Sequence, residues 1–217
     1  MPKQAAEVAT AFRSRTSNLS AARVRIDGLL ASGTIPQRDA EEIYRGLFLG
    51  LLVSFEHALE DLFIGLLVPS RGYTSLDRRV HPRITLRSRE IAWDLLFQEV
   101  KQRDKRYIDW VPLERTTRLA GAFFTGGRPF SYLTDAARPV ALAQTPQLVS
   151  NAQLIRNALA HPSRAAQSKF ERIVLPSGLL PRERRPAGFL MGTGPQGTPR
   201  IEFYAEQLLV AVDAIAR

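Results

Sequence analysis

Apolar residues recur every three or four positions along most of this chain, the spacing of helices that bury one face. Val8, Phe12, Leu19, Val24, Ile26 and Leu29–Leu30 predict a first helix from near Pro2 to Ala31, ended by the Gly33–Pro36 stretch. A second runs from about Gln37 to Val68 and stops at Pro69. At 1.5 Å per residue it is roughly 48 Å long, which predicts an antiparallel pair with the first. Gly46, Gly50 and Gly65 either allow close backbone approach there or merely weaken the helix. Further helices are predicted over Ser88–Arg103, Pro112–Phe124 and Thr145–His161, the last with Thr145 as N-cap and Pro146 at the first helical position. A short basic helix follows over Ser163–Val174, and an amphipathic one over Glu202–Ala216.

Between them, Pro176 to Pro199 is rich in glycine and proline, and Gly188–Met191 reads as a short strand pairing near Arg200–Phe203. The expectation is one all-α domain over residues 1–217. It is an up-and-down bundle of about six or seven helices with a small β-hairpin near the C-terminus.

The apolar segment Leu47–Val68 has about the length a bilayer requires. However, Glu56, His57, Glu60 and Asp61 lie in its middle, within one arc of about 140° on a helix. Charges there argue against a membrane span and for a bundle helix with a polar stripe. The stripe either lines a cleft or is simply exposed; Glu60 is the best single candidate for a supporting role. The N-terminal residues lack the continuous apolar stretch of a secretory signal, so a cytoplasmic location is expected.

Composition sharpens this picture in two respects. The formal net charge is +9, which favours polyanionic partners, although only 4 of the 30 basic residues are lysine and an arginine-rich compositional bias would have the same effect. The chain has no cysteine and three scattered histidines, none in metal-binding spacing, so no metal and no cofactor are expected.

The chemistry concentrates in LVSNAQLIRNALAHPS, Leu148 to Ser163. Arg156 is followed by Asn157 and, four residues after that, by His161. As a bare spacing this is no better than chance in so arginine-rich a chain. Its placement at the end of an apolar-faced helix gives it weight. The word RNALAH resembles the Rx4–6H signature of HEPN domains, in which a polar residue, often Asn, follows the Arg. SFEHALEDLF, YIDWVPLERTTRLAGAFF and RPFSYL are similar to the acidic second helix and the middle section of the RiboL-PSP type of that family. The likeness covers roughly Ala40 to Lys169.

The resemblance implies an all-α homodimer and, for many members, metal-independent endoribonuclease activity in toxin–antitoxin or phage-defence systems. RNA is then the substrate, and an antitoxin or defence protein a further partner. By position it makes Arg156 and His161 catalytic and Asn157 supporting. No Tyr follows shortly after His161, where some toxins of the family carry one that an antitoxin modifies.

Elementary chemistry agrees with that reading. RNA supplies its own nucleophile, the 2′-OH, so its cleavage requires only proton transfer and charge stabilisation at phosphorus. Histidine suits the first task and an arginine fork the second. On a regular helix Arg156 and His161 stand about 140° and 7.5 Å apart, too divergent to share one phosphate. Pro162 is expected to push His161 off the helical track, and a twofold dimer would bring two motif copies into one cleft. The alternative role for His161 is a helix C-cap. Arg164 and Lys169 beyond the helix end, and Arg182, Arg184 and Arg185 in a loop read as a flexible arm, are candidate RNA phosphate contacts. A non-catalytic RNA-binding module and a regulatory interaction protein are the competing functions.

Overall fold

The computed structural model describes the chain except residues 1, 2, 71, 76, 78, 101–107, 112, 135–141 and 162. Eight α-helices carry the described fold: α1 (Ala6–Ala31), α2 (Gln37–Leu67), α3 (Arg89–Val100), α4 (Leu113–Phe123), α5 (Thr145–Ala160), α6 (Arg164–Ile173), α7 (Pro186–Met191) and α8 (Arg200–Ile215). The all-α expectation holds. Among the described residues, regular strand is confined to β1 (Lys3–Gln4) and β2 (Tyr73–Thr74), paired in parallel.

Helix α2 is the mast of the bundle. Its partners α1, α3, α5, α7 and α8 surround it, and from Ala40 to Leu67 it presents buried residues on nearly every turn. Helix α1 runs antiparallel to it, as expected: Phe12 meets Phe55 near one end, while near the other Tyr44 donates to Asp27 Oδ1 at 2.6 Å. The last turns of α2, Leu62 to Val68, are almost fully enclosed. There Phe63 is the hub of an aromatic cluster, with ring centroids of Trp110, Phe124 and Phe130 at 5.1, 5.1 and 4.9 Å. This cluster fixes the segment Ile108–Val111 against α2, which matters for the site below. No helix among the described residues is long and apolar enough to cross a membrane.

Three local expectations are corrected. Gly188–Met191 is not a strand but part of α7, with Pro186 at the helix start and Phe189 and Leu190 both buried. A short apolar run does not distinguish strand from helix by period alone. All that remains of the hairpin is one antiparallel bridge between Thr193 and Pro199. Gly46 and Gly50 face open space, so they mediate no close approach among the described residues. Gly65 does: a Cβ there would run into the Tyr73 ring, and one on Gly72 would run into the Gly65 carbonyl. Thr145 sits inside α5 rather than capping it, with Gln144 at the cap position.

Candidate functional site

Helix α5 places Ala152, Ile155, Ala158 and Leu159 in the core, which leaves Arg156 at the edge of the buried face, 35% exposed. Its guanidinium Nη1 donates to Glu56 Oε1 across the α2–α5 junction at 3.2 Å. Glu56 follows the fully buried Phe55 on α2, and its side chain is only 19% exposed. That burial raises its pKa above the ordinary glutamate value. Arg156 opposes the shift, whereas the nearby carboxylates of Asp109 and Glu60 add to it.

Glu60, one turn further along α2, points elsewhere. Its Oε2 accepts a 3.3 Å hydrogen bond from Trp110 Nε1. Of the polar stripe on α2, it is Glu56 rather than Glu60 that pairs with Arg156. On the same segment, Val111 O accepts a 2.7 Å bond from Gln153 Nε2, pinning α5 to the chain just beyond Trp110. Asp109 Oδ1 is buried with no hydrogen-bond partner among the described residues. Asp109, Trp110 and Gln153 thus shape the surroundings of Arg156, and none was singled out from the sequence. The available signal was the word YIDWVP, whose aromatic and acidic residues stand side by side.

His161 occupies the C-cap of α5 with extended dihedrals, φ −129° and ψ 92°, so it has left the helical track as anticipated. The part assigned to Pro162 in this falls outside the described residues. The backbone N–H of His161 still donates to Asn157 O at 2.9 Å, and its carbonyl accepts from Ser163 N at 2.7 Å. Ser163 then caps α6 by accepting from Ala166 N. Gln167 Nε2 donates to Ala158 O at 3.0 Å and folds α6 back onto α5. The chain therefore makes a tight, bonded corner with the His161 imidazole exposed on it. No hydrogen bond links that imidazole to the Arg156 or Asn157 side chain.

Arg164 and Lys169 are exposed on α6, beyond that corner. Arg182, Arg184 and Arg185 are not a free arm. Residues Pro181–Arg184 form a 3-10 turn, and Arg185 pairs with Glu41 at 2.7 Å. Between them Glu183 binds both Arg200 Nη1 and the Leu180 amide. Glu41 lies fifteen residues before Glu56 on α2, about 22 Å along the helix, so this arginine cluster does not join the Arg156 junction.

Comparison with family models, curated proteins and solved structures finds no match for this chain. Its functional reading therefore stands on these residues and their placement. Among the described residues, no group of three or more histidine or acidic side chains is arranged to hold a metal ion.

Proposed function

We propose that the chain is a HEPN-type, metal-independent endoribonuclease acting as a toxin or phage-defence effector. The observation that carries this reading is the placement on one helix of a half-buried, carboxylate-steadied Arg156 and, at its end, an exposed His161 whose imidazole has no hydrogen-bond partner among the described residues. In the proposed reaction an imidazole takes the 2′-OH proton, and the 2′-oxygen attacks the adjacent phosphorus. The bond from phosphorus to the 5′-oxygen breaks, and a second imidazole protonates the departing oxygen. The products are a 2′,3′-cyclic phosphate and a 5′-OH. Arg156 meets the extra negative charge on the phosphoryl oxygens. Arg156 and His161 do not engage one another within one chain, which supports a twofold dimer whose shared cleft supplies both imidazoles.

The engagement of Arg156 by Glu56 favours one competing reading, a module that binds RNA without cutting it. Incubating the protein with end-labelled RNA in EDTA separates the two. Cleavage that survives the chelator and disappears in His161→Ala supports the nuclease. Salt-dependent binding with intact RNA supports the binding module. A need for added Mg²⁺ contradicts the proposed mechanism.

A further inference from the structure

A second positively charged surface forms where the loop after β2 meets the end of α4. Asp77 organises it. The carboxylate accepts from Arg79 Nε at 2.9 Å, from Arg79 Nη2 at 3.1 Å and from the Tyr132 hydroxyl at 2.8 Å. The Arg79 guanidinium lies 6.0 Å from the Tyr132 ring centroid, and that of Arg128 lies 5.8 Å from the same ring. Two backbone bonds staple the loops together: Thr125 N donates to His81 O at 2.9 Å and Arg83 N to Phe123 O at 2.8 Å. Arg83 extends the patch, its Nε directed to Phe124 O at 3.4 Å. His81, Arg79 and Arg83 are all exposed.

The charge balance of this surface is uneven. Asp77 faces Arg79, but no carboxylate among the described residues pairs with Arg83 or Arg128. From position 77 to 89 the sequence holds Asp77 as its one acid against five arginines. Asp77 offsets the charge of Arg79, whereas Arg83 and Arg128 have no carboxylate partner among the described residues, which favours an external anion beside them. Several guanidinium groups on one surface match a polymer of phosphates better than a single small anion.

We propose that Arg79 and Arg128, ordered around Tyr132, together with Arg83 against the Phe124 carbonyl, grip the phosphate backbone of an RNA strand outside the cleavage junction. The inference rests on the ribonuclease reading and adds a docking surface to it. Here Tyr132 does not stack on a base; it holds two guanidinium groups in place. The surface gives affinity without sequence preference, and short substrates do not reach it.

The test uses a 20-nucleotide 2′-O-methyl RNA, which lacks the nucleophile, so binding is read without chemistry. The triple variant Arg79→Ala, Arg83→Ala, Arg128→Ala is expected to bind at least tenfold more weakly. The slope of log affinity against log salt should fall by about 2, at roughly 0.7 per phosphate contact on a single strand. Arg83→Glu alone changes one exposed side chain and should lower the slope by about 1, which keeps the test valid if the triple variant misfolds. Cleavage of a dinucleotide by either variant should match the wild type. If wild type cleaves neither the dinucleotide nor end-labelled RNA, the ribonuclease reading fails, while the affinity and salt slope on 2′-O-methyl RNA still decide this surface. Unchanged affinity and slope overturn the proposal. So does binding to phosphatidylglycerol vesicles that depends on these arginines while RNA binding does not.

Discussion

Glu56 and Glu60 stand one turn apart on α2, separated by only about 40° around the helix. Nothing in their local sequence says which will meet Arg156; the azimuth of α5 decides it, and that depends on packing many residues away. Because burial raises the Glu56 pKa, the folded state binds its proton more tightly than the unfolded chain does. The stability it contributes is then fully present below the ordinary glutamate pKa and is lost as pH rises through the folded value. Glu56→Gln removes that pH dependence. Its melting temperature relative to wild type should therefore climb between pH 4 and pH 7. On the proposed nuclease reading, RNA cleavage should meanwhile fall by about tenfold as Arg156 loses its anchor, which corresponds to a barrier raised by roughly 1.4 kcal/mol. A Gln variant that loses stability relative to wild type as pH rises contradicts the origin assigned to the shift. Arg156 and His161 were singled out in the sequence by the resemblance and by their place at a helix end, and their side chains do not meet within one chain. Asp109 and Trp110 were not singled out, because their contact with α2 depends on the aromatic cluster.

That cluster belongs to the scale of elements. Phe63 holds Trp110, and Trp110 in turn places an N–H on Glu60, so the junction around Arg156 inherits its position from the buried end of α2. Phe63→Ala should cost about 3–5 kcal/mol, as expected for emptying a buried aromatic site, whereas Val53→Ala, 44% exposed, should stay within about 0.5 kcal/mol. Urea denaturation compares the two directly. Equal losses would show that the cluster does not bear on stability as described. The helices were readable because Gly33, Pro36 and Pro69 mark where α1 and α2 break. Helix α7 was not, since six residues are too few to reveal a period. The ArgGluArgArg run looked free because its ion-pair partners, Glu41 and Arg200, lie far from it or beyond the loop.

At the scale of the whole molecule, the all-α architecture followed from the pattern of apolar positions. The parallel contact of β1 with β2 did not, because two-residue strands joined across seventy residues leave no periodic trace. The proposed cleft needs two copies, and subunit mixing tests this apart from any direct measure of size. With random exchange and an excess of neither form, equal amounts of wild type and His161→Ala should give about one quarter of full activity, because only dimers with two intact imidazoles work. One half would indicate that each chain cuts alone.

The most direct measurement of the central claim is the cleavage of end-labelled RNA by purified protein in excess EDTA, with the fragment ends identified. Fragments ending in 2′,3′-cyclic phosphate, produced by wild type and abolished in both Arg156→Ala and His161→Ala, are the predicted result. Fragments that form only with Mg²⁺, or that persist when His161 is replaced, would contradict it.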